Sequence, residues 1–276
     1  MLNKLLRQKL PSPTVPKKVI LETSMAEELP APAGPIPSLI GFPKTLIVIP
    51  AFNEAKNIAK VLEGIRRCAP ELPVLVIDDG SSDATAEIAG EQGAKVISLP
   101  FNSGYGVALQ TGFIFALKNG FTTVVQMDAD GQHDPRYIID MLQEIQTDNL
   151  DVVIGSRFLG NNKYKTSIFK HLGMYIFGKL ASFFCGQTVS DPTSGFQVLK
   201  GKPIQFVASD YYPPDYPDAD FIIMLHRCGF KIREVPVTMQ ASPNNKSMHR
   251  GHKTIYYVFK MFLSIIVTLL RQKPNT

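Results

Sequence analysis

The chain has 276 residues, of which 45% are hydrophobic and 19% charged, and a formal charge of +5. This composition excludes a disordered chain and a small disulfide-stapled scaffold, and leaves room for one large α/β domain or two small ones. The positive balance suits an anionic partner, but the basic residues gather toward the two ends, and no dense basic run interleaved with aromatics marks a nucleic-acid binder.

Cys68, Cys185 and Cys228 lie far apart without metal-type spacing and read as reduced core thiols. Residues 1–43 start with a basic segment (Lys4, Arg7, Lys9, Lys17, Lys18) and pass into LPAPAGPIPSLIGFP. So many prolines deny a regular helix or ladder, and a mobile leader is expected. Its apolar patches are too short and interrupted for a secretory signal or a membrane span.

From Lys44 the pattern changes. Thr45 to Ile49 (TLIVI) reads as a buried strand, Pro50 to Asn53 as a turn, and Glu54 to Cys68 as a helix with apolar Ile58, Val61, Leu62 and Ile65 on one face. Val74 to Ile77 is a second strand, ending in Asp78-Asp79-Gly80-Ser81-Ser82-Asp83, with Ser82 a candidate N-cap for a helix over Ala84 to Gln92. A short strand at Lys95 to Leu99, a glycine-punctuated turn at Asn102 to Gly106 and a helix to Lys118 follow. Thr122 to Met127 is the next strand, and it stops abruptly in Asp128-Ala129-Asp130-Gly131-Gln132. Pro135 to Gln146 reads as a helix with proline in its first turn, and Asp151 to Gly155 as a buried strand running into Ser156-Arg157-Phe158. Ser167 to Cys185 is an apolar helix, read either as core or as a lipid-facing element. Asp191 to Phe196 turns into a short strand, a helix covers Ala219 to Cys228, and Lys231 to Met239 is the last strand.

Strands alternating with helices imply a mostly parallel sheet with right-handed crossovers, in which ligands sit beyond the carboxyl ends of the strands. Three strands end in polar, acid-bearing turns there: PAFNE, DDGSSD and DADGQH. Two carboxylates at i and i+2 on such a turn can reach one hard cation together and leave its other positions to water and phosphate oxygens, which suits Mg²⁺ or Mn²⁺. Residues 254–270 (TIYYVFKMFLSIIVTLL) are almost wholly apolar, with basic flanks. A helix of that length is about 25 Å, short of a hydrocarbon core of roughly 30 Å. It is expected to lie in the interface, the alternatives being docking on a partner or on the domain itself, or a true span.

The order PAFNE, DDGSSD, NSGYG, MDADGQH, GSRF, DPTSGF, EVPV resembles the family 2 glycosyltransferases of the GT-A fold, and within them the dolichol- and polyprenyl-phosphate mannose and glucose synthases. The likeness runs from about Thr45 to Val237, so the resemblance implies a Rossmann-like nucleotide-diphospho-sugar transferase domain over 44–245. A membrane-associating tail is expected over 246–276. It implies that Pro50, Phe52, Glu54, Ile77 and Asp79 hold the nucleotide, that Asp128, Asp130 and Gln132 hold Mg²⁺ or Mn²⁺ and the diphosphate with Ala129 between them, and that Arg157 lies near the acceptor phosphate. Asp191 becomes the base candidate for a hydroxyl acceptor; for a phosphate acceptor its expected role is orienting the loop or the sugar.

The implied reaction moves a hexose from a nucleotide sugar to a polyprenyl or dolichyl phosphate at the cytoplasmic membrane face, with the membrane surface or a small membrane protein as partner. The alternatives are a lipid-linked sugar hydroxyl as acceptor, or a non-catalytic nucleotide-sugar-binding subunit. The family's basic acceptor residues are not cleanly matched; Lys170, His171, Lys246, His249 and Arg250 are the nearest candidates.

Overall fold

A computed structural model describes residues 42, 44–147, 149–159, 168–209, 212, 218–239 and 252–271. The expected leader over 1–43 falls almost wholly outside the described residues, as do Lys246, His249 and Arg250.

Seven strands form one sheet in the order β3-β2-β1-β4-β6-β5-β7. β1 (Thr45–Ala51) lies between β2 (Val74–Asp78) and β4 (Thr123–Gln126), parallel to both. β3 (Lys95–Ser98) extends the parallel edge beyond β2. β6 (Gln197–Lys200) runs antiparallel between β4 and β5 (Val152–Ser156), and β7 (Ile232–Pro236) pairs parallel with β5. The expected sheet was mostly parallel; the reversed strand is the part that alternation of helices and strands does not reveal.

β1 is apolar without alternation because both its faces are covered. Ile47 and Ile49 pack with Ile58, Val61, Leu62 and Ile65 of α1 (Ile58–Cys68) and with Ile138, Met141 and Leu142 of α4 (Tyr137–Thr147). On the opposite face α3 (Tyr105–Lys118) lies so close that a Cβ on Gly112 would stand 2.3 Å from Val48 Cγ1.

Two helix starts and one helix cap differ from expectation. α1 begins at Ile58 rather than Glu54, because Glu54 O first accepts from the Asn57 and Ile58 N–H groups in a turn. α2 (Thr85–Glu91) is not capped by Ser82, whose N–H and hydroxyl instead serve Asn53. α4 begins two residues after Pro135. A short helix, α6 (Lys202–Val207), follows β6 where none was expected.

The apolar tail is a helix. α5 (Ile168–Cys185), α7 (Ala219–Arg227) and α8 (His252–Leu270) pack together, with Phe177 and Phe262 in ring contact at 5.4 Å. α8 buries Met261, Ile265 and Thr268. Its Ser264 hydroxyl donates to the buried Asp220 carboxylate, and Arg227 donates to the Thr268 and Arg271 carbonyls. The opposite side, with Leu263, Ile266, Val267 and Leu270, is exposed and apolar. No helix among the described residues is long and apolar enough to cross a membrane.

Candidate active site

β1, β2 and β4 are parallel neighbours, so their carboxyl ends open on one edge of the sheet. After β1 the chain turns through Asn53 in the left-handed region (φ 55°), which asparagine tolerates better than a branched side chain. The Asn53 N–H donates to Ser81 Oγ at 2.9 Å, and Asn53 Oδ1 accepts from the Ser82 N–H at 2.9 Å. The Glu54 N–H donates to Thr85 Oγ1 at 2.8 Å and the Ala55 N–H to Asp83 Oδ2 at 3.2 Å. PAFNE and DDGSSD are thus stitched into one surface, and Phe52 stands 44% exposed upon it.

Asp79 grips the next loop. Its carboxylate is buried and accepts the Ser103 N–H at 2.7 Å and the Gly104 N–H at 2.9 Å, which fixes where α3 begins. Gly80, at φ 68°, has room for no side chain: a Cβ would lie 2.6 Å from the Phe101 carbonyl carbon. Pro50, Ile77 and Ala129 are buried in the sheet and its core, Ile77 completely. The Ile77 side chain lies in the core, and its backbone pairs with β1 and β3.

Asp128 and Asp130 flank the end of β4. The Tyr105 hydroxyl donates to Asp128 Oδ1 at 2.7 Å, and Gln126 Nε2 donates to that hydroxyl at 3.3 Å. The Asp128 N–H donates to His133 Nδ1 at 3.0 Å, so the imidazole carries its proton on Nε2, 3.6 Å from Asp128 Oδ2. His133 is buried and stacks on Phe196 with ring centres 5.1 Å apart. Gln132 donates through its backbone N–H to Asp130 Oδ1 at 2.9 Å, and its side-chain amide nitrogen donates to the other carboxylate oxygen.

The acids feel one another. Asp128 holds its proton above the ordinary carboxylate range, chiefly through burial and then the charge of Asp130, against the opposing pull of His133, Tyr105 and Arg157. Glu54 is raised as well, first by burial and then by Asp130, Asp83 and Asp128, while Asn57 opposes. Glu54 therefore lies near enough to Asp130, Asp83 and Asp128 to feel their charge.

Among the described residues no group of three or more His, Cys, Asp or Glu could hold an ion by itself. The donors present are hard oxygens, two carboxylates and the Gln132 amide oxygen, in a locally acidic site. That set fits Mg²⁺ or Mn²⁺ whose remaining positions are filled by water and phosphate.

Arg157, just past β5, makes a bidentate pair with Asp191: Nε to Oδ2 at 2.7 Å and a terminal nitrogen to Oδ1 at 2.6 Å, with the Arg157 N–H on Oδ2 at 3.0 Å. The same guanidinium reaches Thr193 Oγ1 at 2.7 Å. Asp191 is fully buried and the Arg157 side chain 14% exposed. Beneath them Glu234, of the EVPV segment, accepts the Ser190 and Asp191 N–H groups at 2.8 Å each. Burial raises the Glu234 carboxyl above its ordinary range, against those two hydrogen bonds. Asp191 is thus enclosed, with both of its carboxylate oxygens engaged by Arg157. Tyr105, His133 and Gly195 sit inside the NSGYG, MDADGQH and DPTSGF motifs, and only the fold brings them to Asp128. Nothing in one sequence says which of them touches Asp128.

The Glycosyl transferase family 2 pattern matches residues 46–206. A polyprenol monophosphomannose synthase from Mycolicibacterium smegmatis is 27% identical over 232 residues, 79% of this chain and 85% of that protein. A dolichyl-phosphate hexose transferase from Haloferax volcanii is 31% identical over 196 residues, 71% of this chain and 82% of that protein. Among solved structures, glucosyl-3-phosphoglycerate synthase from Mycobacterium tuberculosis, crystallised with Mn²⁺ and UDP-glucose, superposes with a TM-score of 0.61 at 20% identity, covering 82% of this chain and 78% of that one. With its β-sheet edge, its acid-bearing strand ends and this match, the chain belongs to glycosyl transferase family 2 and has the GT-A fold.

Proposed function

We propose that the protein transfers a hexose from a nucleoside-diphosphate sugar to a polyprenyl- or dolichyl-type lipid phosphate, working as a peripheral enzyme at the cytoplasmic membrane face. The observation that carries this reading is the convergence of Glu54, Asp128 and Asp130 at one sheet edge, beside an Arg157 already held in place by Asp191. The two relatives named for lipid-phosphate acceptors support the acceptor class.

Asp128, Asp130 and Gln132 would hold Mg²⁺ or Mn²⁺, which supplies charge neutralisation for the departing diphosphate. Phe52, Glu54 and Asp79 line the nucleotide end, where carboxylates accept from base N–H groups or ribose hydroxyls. Arg157 offers its planar fork to the acceptor phosphate. A phosphate oxygen attacks the anomeric carbon, the bond from that carbon to the diphosphate oxygen breaks, and the configuration inverts. No proton has to leave the acceptor, because a phosphate monoester is already anionic near neutral pH. A fully buried Asp191 engaged by Arg157 fits that requirement better than it fits a general base. The exposed apolar side of α8 supplies a surface for the bilayer interface.

Incubating the protein with Mn²⁺, undecaprenyl or dolichyl phosphate and a panel of GDP- and UDP-hexoses tests the reading. The expected product is a lipid-phosphate hexose from one donor. Donor hydrolysis without any lipid product would overturn it.

A further inference from the structure

The cation site proposed above needs Asp128 in one orientation, yet a half-buried aspartate at the end of a strand has several. The structure shows what restricts it. One carboxylate oxygen accepts from the Tyr105 hydroxyl at 2.7 Å. Gln126, itself buried, donates through Nε2 to the same hydroxyl oxygen at 3.3 Å, so the phenol accepts from Gln126 while it donates to Asp128.

The position of Tyr105 is in turn set from the nucleotide end. Asp79 holds the N–H groups of Ser103 and Gly104, the two residues before Tyr105, and α3 starts at Tyr105. From the opposite side the carboxylate and the phenol oxygen rest on the bare Cα of Gly195. A Cβ there would stand 2.8 Å from Asp128 Oδ2 and 2.9 Å from the Tyr105 oxygen, closer than real side chains come. Gly195 belongs to the 191–196 loop that also carries Asp191, so the acceptor-side loop forms one wall of the Asp128 cradle.

We infer that Tyr105 and Gly195 are the positioning residues of the cation site: the phenol hydroxyl selects the orientation of Asp128, and the absent side chain at Gly195 makes room for it. Neither touches substrate; both act through Asp128. The inference rests on the cation site of the proposed function and adds the elements that preorganise it. Residues that hydrogen-bond a metal's carboxylate ligand typically cost 10–100-fold in metal affinity when removed, because the ligand must then be ordered at the moment of binding.

The test is an electron paramagnetic resonance titration of free Mn²⁺ with full-length protein at saturating GDP or UDP, comparing wild type, Tyr105→Phe and Gly195→Ala. Alongside it, the affinity for the same nucleotide is measured in EDTA, and Tm by thermal denaturation. Mn²⁺ affinity should fall by about tenfold or more in each variant, while metal-free nucleotide affinity stays within about twofold of wild type. A merely structural role would lower both affinities and Tm together. A Mn²⁺ affinity within about threefold of wild type in Tyr105→Phe, or a parallel loss of both affinities in both variants, overturns the inference. If wild type itself binds no Mn²⁺ with either nucleotide, the cation site falls and this inference with it. If wild type binds and Tyr105→Phe binds equally, only the positioning role falls.

Discussion

Asp191→Asn separates two roles that one residue could play at this edge. Asparagine has the shape of aspartate but no charge, so the change leaves the Arg157 guanidinium, 14% exposed, without its counter-ion. Asp191 accepts from Arg157 at 2.6, 2.7 and 3.0 Å, and the substituted amide can replace at most part of that set. Removing one partner of a buried ion pair costs about 3–5 kcal/mol, mostly the desolvation of the charge left behind. For a domain of this size the lower figure corresponds to a fall in Tm of roughly 6–12 °C. Differential scanning calorimetry gives the stability, and initial rates over a range of lipid phosphate give kcat and the acceptor KM. If Asp191 positions Arg157, Tm falls by that amount and the acceptor KM rises. Replacing both partners with apolar residues, Arg157→Met with Asp191→Leu, should then recover most of the stability without restoring transfer. A variant with unchanged Tm and unchanged acceptor KM, but with a sharply lowered kcat, would refute the reasoning and return Asp191 to the role of base.

Asp130→Asn should lower transfer by at least about 100-fold at saturating Mn²⁺, because it removes a charge aimed at the cation beside the leaving group; chelation by EDTA should match that loss and added Mn²⁺ or Mg²⁺ should reverse it in wild type only. Gly80→Ala forces a side chain into a left-handed turn with a backbone carbon 2.6 Å away. Urea denaturation should show a loss of at least about 1–2 kcal/mol from the backbone conformation alone. Asp220 holds its proton above the ordinary value of 3.8, chiefly through burial, although Ser264 and nearby N–H groups favour its charged form. Its folded value is raised, so its contribution to stability is full below that ordinary value and is lost as pH rises through the raised one. Asp220→Asn cannot ionise. The Tm of wild type relative to that variant should therefore decline as pH rises from the ordinary value of 3.8 through the raised one, and a flat difference across that rise would contradict the assignment.

Local pattern made the site's ingredients legible. The β-branched runs over 45–49, 74–77 and 122–127 end in acids, and a parallel sheet sends such ends to one edge. The helical period of α1 could be read from its apolar spacing and α4 from its leading proline, though the starts of α1 and α4 and the cap of α2 could not. Glu54 and Ser82 were drawn into bonds between loops 28 or more residues apart, and those tertiary bonds outweigh local capping preference. The reversed β6 was illegible for a related reason: a four-residue strand has no periodicity that marks its direction, which is decided by the two neighbours between which it fits. Ile77 was expected at the nucleotide from a match to family positions; its side chain, on β2, lies wholly in the core.

The sequence by itself determined the chemistry available to this protein: paired carboxylates on a strand end, a guanidinium after another strand, an apolar tail with basic flanks. These follow from residue type and short-range spacing, which any part of the chain carries with it. Only the tertiary structure decided how those groups are committed. Asp191 is held in a bidentate pair with Arg157, and Asp79 holds the loop that starts α3. Tyr105 looked like part of a turn until a hydroxyl 23 residues upstream in sequence came within 2.7 Å of Asp128. Hydrogen bonds and desolvation depend on partners brought together by folding, so a group's identity is written locally and its role is set by what surrounds it.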